Sequence, residues 1–429
     1  MYAISIILAV IQLGFISLIL FKEIQIKSSG AFLWATLIVM FGLPHLVTAI
    51  FENMQYDVIV YCEASLFVIA FCFLYYLIRN KTRVIFLKSA NETNLQTNLK
   101  YVNSLYVYIV FGILIVGFIY YFAFIIKNQG GLLNTSWGSS RDIETDYVSI
   151  SGLVSRLLLV YSGLSLYFFD NKKYYKTILV LVMYLALVLL TRNRVHILPF
   201  FIFFVALFIQ ALKDIKAKHL LLALFGGCLI IYIVYAIRAF RYLGSLSNAI
   251  NNFSWQYINS TVLSFINDQN GELGLRQYFY YFIDNDNHFD GFNKAHTYIR
   301  MLLVYIPSQF SFGLKPESFD LTMGRAIGMI QGGSMHPTLF GDCFGNLYWF
   351  GILLGLFWGL FANIIDKLIL NQKEYFNSYM IYCLSAYAFV VIGRGSVYNG
   401  FEKLAWGILI LFVLSYILRK TKNMFIRIK

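Results

Sequence analysis

Long apolar blocks constrain this chain more than any other feature of its sequence. Each has about the 20 residues that an α-helix needs to cross a hydrocarbon layer ~30 Å thick, and a membrane β-strand would instead alternate polar and apolar residues. Only 13% of the 429 residues are charged, against about 25% in an ordinary soluble domain. The sequence therefore predicts an all-α polytopic membrane protein with about eleven transmembrane helices. They cover the ranges 2–21, 31–50, 58–78, 105–126, 149–169, 177–190, 195–212, 219–237, 345–365, 376–393 and 404–419.

The basic residues are distributed asymmetrically between the two sets of loops. If the N-terminus is external, the loops on the opposite side and the tail from residue 419 carry 20 Lys and Arg against 6 Asp and Glu, which leaves 14 basic and 15 acidic residues for the rest. Cytoplasmic loops of membrane proteins carry such a basic excess. We therefore expect an external N-terminus and a cytoplasmic C-terminus. The net charge of +13 then reflects orientation, and no nucleic-acid partner is expected.

One loop is far longer than a connection needs to be. Residues 238–344 separate the eight predicted helices of 1–237 from the last three helices and the cytoplasmic tail in 345–429. The loop is rich in aromatic residues, such as those of 278–282, which a disordered tether lacks. We expect a folded external cap that rests on the membrane surface or dips into it. Helical patterns occur near 248–266 and 295–306.

Six arginines lie at or just inside the predicted outer ends of the apolar blocks, where a charge is costly and often functional. A guanidinium group keeps its proton and binds phosphate oxygens in pairs, so arginines at one membrane depth predict an anion site. Alternatively, some of them extend to lipid headgroups or pair with acids such as Glu63 and Asp342. For Arg238, Arg241 and Arg394 both interpretations stay open, whereas the other three favour function. The six are Arg156, Arg192, Arg194, Arg238, Arg241 and Arg394.

The end of the long loop carries a candidate base. His336 is followed by a proline that keeps it out of a helix, and Asp342 lies six residues later. A histidine and a carboxylate so placed could share the proton of a substrate hydroxyl. Alternatively, His336 caps the following helix or hydrogen-bonds a neighbouring loop. Upstream, two prolines flank an aromatic pair, and Lys315 presents a further cation.

No motif predicts a metal or a cofactor. The five cysteines show no CxxC spacing, and the acidic run 284–291 departs from the EF-hand calcium loop. That run is expected to be a solvated loop, with a weak divalent site as the minor alternative. Glycine-rich nucleotide-binding motifs are absent, so ATP-driven transport is not expected. Three glycines four residues apart predict a close helix-packing face in the ninth span: Gly351, Gly355 and Gly359.

Four features, in this order along the chain, resemble the bacterial O-antigen polymerases, the Wzy-type oligosaccharide repeat-unit polymerases. The first is the external glycine pair at 130–131, followed by polar residues and Arg141, and the second is the arginine hairpin at 191–194. The third is the Ile-Pro-x-x-aromatic stretch that ends in Lys-Pro, at 306–316. The fourth is the Pro-Thr-x-x-Gly-acid-x-x-x-Asn-x-x-x-x-Gly run at 337–351. The long external loop before the last spans also fits this family.

This resemblance implies a GT-C-like glycosyltransferase of the bacterial cytoplasmic membrane, without a cofactor. It would move the growing glycan from one undecaprenyl diphosphate onto the non-reducing end of a new lipid-linked repeat unit at the external face. A chain-length regulator protein is a possible partner. The nearest alternative is an O-antigen ligase, which uses a lipid A acceptor. Another is a lipid-linked oligosaccharide flippase or secondary transporter.

The resemblance, together with the residue pattern, suggests roles for the candidate residues. Fixed cationic groups can stabilise a departing diphosphate without a metal. His336 is the first candidate for the base that accepts the proton of the acceptor hydroxyl, and Asp342 is the second. The diphosphate would be held by three arginines and a second tier of basic residues: Arg156, Arg192 and Arg194, then Arg238, Arg241, Lys315 and Arg394.

Overall fold

The chain folds into helices joined by turns and short irregular segments. The computed structural model describes residues 1–51, 54–80, 82–85, 104–135, 160–191, 197–212, 217–252, 254–267, 273–329, 335–372 and 375–427, and no β-strand occurs among them. Eight of the described helices are long and apolar enough to cross a membrane, which confirms an all-α multi-pass membrane protein. These eight are Tyr2–Gln25, Gly30–Ile50, Val58–Ile78, Tyr106–Asn128, Tyr174–Thr191, Thr338–Leu370, Tyr375–Gly393 and Val397–Ile417.

Three of the eleven predicted spans are not among these eight. The span predicted at 195–212 corresponds to Leu198–Ala211, which is apolar but shorter than the others. The span predicted at 219–237 lies within the helix Ala217–Tyr242. Most of the span predicted at 149–169 lies outside the described residues.

We number the described α-helices α1 to α17 in chain order. They are α1 Tyr2–Gln25, α2 Gly30–Ile50, α3 Val58–Ile78, α4 Ser104–Asn128, α5 Tyr161–Asp170, α6 Tyr174–Thr191, α7 Leu198–Ala211, α8 Ala217–Tyr242, α9 Leu246–Asn251, α10 Trp255–Asn267, α11 Arg276–Asp284, α12 His296–Leu302, α13 Phe319–Ala326, α14 Thr338–Leu347, α15 Leu354–Leu370, α16 Tyr375–Gly393 and α17 Val397–Arg427. Within α2, the turn Ile38–Gly42 is π-helical. Pro44 follows it, and a proline inside a helix removes one backbone donor and crowds the preceding turn.

The ninth predicted span starts earlier than the sequence indicated and is interrupted. It begins with α14, and at Tyr348 the backbone turns to φ 53° and ψ −139° before the 3₁₀ segment Tyr348–Leu353 and α15 continue. A Cβ on Gly351 would collide with the backbone of Cys343. At Gly355 and Gly359 a Cβ would collide with α3, so the predicted packing face is confirmed for these two glycines, whereas Gly351 packs within its own span.

Two compact units divide the chain by packing. This division differs in kind from the predicted one at residues 237 and 344, which follows membrane topology. The first unit comprises Met1–Val84, Gln269–Leu368 and Ser385–Val413, and the second comprises Ile85–Asp268, Ile369–Leu384 and Leu414–Lys429.

A buried charge network closes one end of the first unit, which we call the Arg79 end. Arg79, just past α3, donates to both carboxylate oxygens of Glu23 of α1 at 2.6 and 2.8 Å. It also contacts the Asp366 carboxylate of α15 and donates to the Ser28 hydroxyl at 2.8 Å. The side chains of Arg79 and Glu23 are fully buried. One guanidinium group thus joins three helices through two carboxylates.

The second unit is built on close helix contacts of its own. Gly163 of α5 faces Met380 of α16 so tightly that an added Cβ would meet the Met380 backbone. Beside it, the Tyr379 hydroxyl donates to the Asp170 carboxylate at the end of α5. The candidates Arg238 and Arg241 lie three residues apart near the C-terminal end of α8, on one side of that helix.

Candidate functional site

At the opposite end of the first unit, the cap end, the part of the predicted cap that belongs to this unit packs against the membrane helices. Tyr280 of α11 is fully buried, and its hydroxyl lies 2.5 Å from Nδ1 of His45 near the end of α2. Nε2 of His45 lies 2.9 Å from the Ser65 hydroxyl of α3. One turn before Tyr280, Arg276 donates to the Thr48 hydroxyl at 2.9 Å. The aromatic run therefore inserts between α2 and α3 and fixes the cap in place.

Asp342 lies inside this packing. It is buried, and its two carboxylate oxygens accept from the Thr297 hydroxyl at 3.1 Å and from the Asn346 side-chain amide at 3.2 Å. The Asn346 side-chain carbonyl in turn accepts the backbone N–H of Thr297 at 2.9 Å. This arrangement ties the start of α12 to α14. Asp342 is therefore placed to position this part of the cap.

His336 lies at a junction where the segment before α14 meets the turn after α16. The backbone N–H of Thr338 donates to the carbonyl of Arg394 at 3.2 Å. Gly395 follows with φ 102°, and a Cβ there would lie 2.5 Å from the Thr338 nitrogen and 2.9 Å from the His336 carbonyl carbon. Glycine is therefore required at this junction, and two predicted site residues, His336 and Arg394, are brought together by backbone contact.

Thr338 adds two unusual features to the junction. Its φ is +66°, a left-handed conformation that costs a β-branched residue on the order of 1–3 kcal/mol and often marks a functional site. Its side chain is fully buried, yet its Oγ1 has no hydrogen-bond partner among the described residues. A buried hydroxyl without a partner is costly. A bound molecule or a water at this position would supply the missing hydrogen-bond partner.

A second cluster lies around the ring of Tyr398, four residues after Arg394 and at the start of α17. We call it the Tyr398 cluster. The Arg300 guanidinium lies 4.6 Å from the ring centroid and the Lys315 amine 5.9 Å from it. Backbone carbonyls orient both cations. Arg300 donates to the carbonyl of Pro316 at 2.7 Å, and Lys315 donates to that of Ile306 at 2.8 Å.

The Tyr398 cluster carries positive charge that no salt bridge among the described residues neutralises. None of the salt bridges among the described residues involves Arg300 or Lys315, and the buried Nε donor of Arg300 has no hydrogen-bond partner there. Burial and, after it, the charge of Arg300 lower the pKa of the Lys315 amine, while Glu402 opposes this shift from beyond salt-bridge distance. Two cations held together with a spare donor are suited to bind an anion.

The structure separates the predicted site residues into three groups. Four of them lie at the cap end of the first unit, and two lie on α8 in the second unit. The remaining three lie outside the described residues. In that order the groups are His336, Asp342, Lys315 and Arg394; Arg238 and Arg241; and Arg156, Arg192 and Arg194.

Sequence reasoning missed Arg300 and Tyr398. Arg300 lies in the helical pattern predicted at 295–306, where a single arginine gives no signal. Tyr398 precedes the last apolar block by six residues, and nothing in the sequence pairs it with Arg300. The available hint was Lys315, the cation already noted between the two prolines.

The part of the chain that the structure describes contains no cluster of three or more His, Cys, Asp and Glu side chains placed to bind a metal. Comparison of the chain with family models, with curated proteins and with solved structures gave no match.

Proposed function

We propose that the protein polymerises glycan repeat units carried on a lipid diphosphate, at the external face of a bacterial cytoplasmic membrane. The observation that carries this proposal is the Tyr398 cluster, where Arg300 and Lys315 face one ring at the N-terminal end of α17 and form no salt bridge among the described residues. A lipid diphosphate places two phosphates at the membrane interface. Under the predicted topology the cluster would supply charge of the opposite sign at that level.

The cations would act mainly on the leaving group. When the glycosidic bond to the diphosphate breaks, negative charge accumulates on the departing phosphate oxygen, and preorganised cations stabilise that charge. Arg300 and Lys315 are held by backbone carbonyls, so little reorganisation is needed. Arg394 lies four residues before Tyr398 in the chain. Arg156, Arg192 and Arg194 lie outside the described residues and stay candidates for binding the diphosphate.

The proposed reaction is a single glycosyl transfer. The acceptor hydroxyl oxygen attacks the anomeric carbon of the donor glycan, and the bond from that carbon to the diphosphate breaks with its electron pair on the diphosphate. The hydroxyl proton passes to His336, which the Thr338–Arg394 hydrogen bond holds beside the arginine. Asp342 would position the cap through Thr297 and Asn346 rather than take the proton.

The charge asymmetry of the loops supports the orientation. Among the described residues, the Arg79 end of the first unit carries the basic residues Lys22, Lys27, Arg79 and Arg83. Basic loops favour the cytoplasmic side, so the cap end with the Tyr398 cluster would be external. Lipid-linked repeat units are polymerised on that side in the family that the sequence resembles.

A reconstituted assay tests this proposal. The full-length protein in liposomes receives only undecaprenyl-diphosphate-linked repeat units, and the products are separated on a gel. A ladder of lipid-linked glycans with release of undecaprenyl diphosphate is expected. Transfer that occurs only after lipid A is added would indicate a ligase, and movement of the lipid across the bilayer without a new glycosidic bond would indicate a flippase.

Matched variants connect the assay to the cluster. Arg300→Ala should remove the ladder, whereas Arg325→Ala removes an arginine from the same cap that forms an exposed pair with Glu317 and should leave the ladder intact. Equal ladders from both variants would separate the cluster from the activity.

A further inference from the structure

The cap end carries an exposed apolar segment that neither the proposed reaction nor the packing of the fold explains. Residues 302–314 lead from the end of α12 to Lys315, and six of their large apolar side chains are exposed, whereas Val304 is buried. The exposed fractions are 85% for Leu302, 48% for Tyr305, 40% for Ile306, 68% for Phe310, 93% for Phe312 and 71% for Leu314. We call these six side chains the apolar segment.

The tip of this segment is built in a costly way. Phe312 and Gly313 both have positive φ, of 48° and 80°, and the N–H of Leu314 donates to the carbonyl of Ser311 at 2.8 Å. Two successive left-handed residues form the tight turn that Asn and Gly favour. A phenylalanine in that position, with nearly its whole ring exposed, is strained and contributes nothing to the core.

The segment is fixed alongside the last membrane helix. The Tyr305 hydroxyl donates to the carbonyl of Ala405 at 3.0 Å, and the Tyr305 ring packs edge-on against Trp406 at 5.3 Å. Ala405 is eight residues into α17, about 12 Å along the helix axis. The apolar segment therefore lies beside a span whose own outward side chains, such as Ile410 and Val413, are exposed and apolar.

Cations lie above the apolar side chains. Lys315 directly follows the segment and Arg300 precedes it, and both contact Tyr398 at the N-terminal end of α17. Apolar groups beside the span and cations at its end match the two layers of a lipid monolayer, acyl chains and phosphates. The continuity with the apolar surface of α17 and the charge complementarity both select lipid as the occupant.

We propose that the apolar segment is a membrane anchor: it inserts into the acyl chains of the bilayer leaflet at the cap end and holds Arg300 and Lys315 at the level of the lipid phosphates. This inference does not depend on the proposed polymerase activity, since any reaction or none could occur above such an anchor. The occupant is bulk phospholipid, and neither a bound substrate tail nor a second protein surface is required.

The depth of a spin label tests the anchor. The full-length protein carries a nitroxide at Phe312→Cys, in nanodiscs of phosphatidylglycerol and phosphatidylethanolamine without any polyprenyl lipid. Wild-type protein treated with the same reagent provides the background from the native cysteines. Collisions of the label with oxygen, which concentrates in acyl chains, are compared with collisions with a water-soluble nickel chelate.

Two reference positions calibrate the result. Ile410→Cys reports the lipid-facing side of α17, and Asp290→Cys reports a fully exposed carboxylate position on the cap. The ratio of oxygen to nickel collisions at position 312 should be several times that at 290 and close to that at 410. A ratio equal to that at 290 would overturn the anchor. Protection of position 312 from both reagents would also overturn it, because protein would then cover the segment.

Discussion

The backbone N–H of Thr338 donates a hydrogen bond to the carbonyl of Arg394 at 3.2 Å. This bond joins the segment before α14 to the turn after α16, and it brings His336 and Arg394 to the same place. Gly395 makes the contact possible, since a Cβ there would collide with the backbone at His336 and Thr338. In the proposed mechanism this junction sets the position of the base relative to the diphosphate.

Gly395→Ala tests the junction. The added Cβ must displace backbone atoms, and φ of 102° is unfavourable for alanine, so we expect a loss of roughly 1–3 kcal/mol in stability. Turnover should fall at least tenfold while lipid-diphosphate binding changes little, because the Tyr398 cluster is retained. The control is Gly328→Ala, which has φ 76° but open space at its Cβ. Equal turnover in the two variants would argue against a role for the junction.

The Tyr398 cluster predicts a loss of affinity when either cation is removed. A hydrogen bond to a charged group contributes about 1.5–3 kcal/mol, so Arg300→Ala and Lys315→Ala should each weaken the binding of undecaprenyl diphosphate by about 10- to 100-fold. Titration of the protein in nanodiscs with a fluorescent polyprenyl diphosphate measures this. Arg325→Ala should bind as the wild type does. Unchanged affinity in both cluster variants would place the diphosphate elsewhere.

The lowered pKa of Lys315 predicts the pH dependence of binding. Burial and Arg300 favour the neutral amine, so the charged form, which attracts the diphosphate, is present at low pH and is lost as the pH rises through the lowered pKa. The affinity for the diphosphate should therefore decline at a lower pH than it would if Lys315 had the pKa of an ordinary lysine. Lys315→Arg should retain its affinity there, since a guanidinium group stays protonated. Parallel titrations between about pH 7 and about pH 10 decide this, and identical profiles would contradict it.

The Arg79 end predicts an effect on stability. Arg79→Ala leaves the carboxylates of Glu23 and Asp366 buried without their shared cation, and breaking a buried pair in this way costs about 3–5 kcal/mol. The thermal unfolding temperature in detergent should fall markedly. Arg325→Ala breaks an exposed pair, which contributes about 0–1 kcal/mol. It should therefore change the unfolding temperature little. Comparable unfolding temperatures would show that the network is not needed for the fold.

The membrane helices could be predicted from the sequence because each requires a long apolar run, a property of consecutive residues. The break at Tyr348 could not, because it depends on Gly351 meeting the backbone of Cys343 in three dimensions. The buried network at Arg79 was also missed. Its members lie at span ends, where a charge looks like an ordinary cytoplasmic loop residue.

The candidate site likewise contains residues that the local sequence identifies and residues that only the three-dimensional fold brings together. Lys315 and His336 were selected because a cation between prolines and a histidine before a proline are unusual in their local sequence. Arg300 was not selected, because its importance comes from Tyr398, almost one hundred residues later. Asp342 was selected from its spacing to His336, which cannot reveal that both of its oxygens already accept hydrogen bonds within the cap.

The most direct test of the central claim is glycan polymerisation by the purified protein and by its Arg300→Ala/Lys315→Ala double variant. Both are reconstituted in liposomes with undecaprenyl-diphosphate-linked repeat units as the sole substrate, and their folding is compared by thermal unfolding. We predict a ladder of lipid-linked glycans from the wild type and single repeat units from the folded double variant. A ladder of normal length from the double variant, or none from the wild type with intact substrate, would contradict the claim.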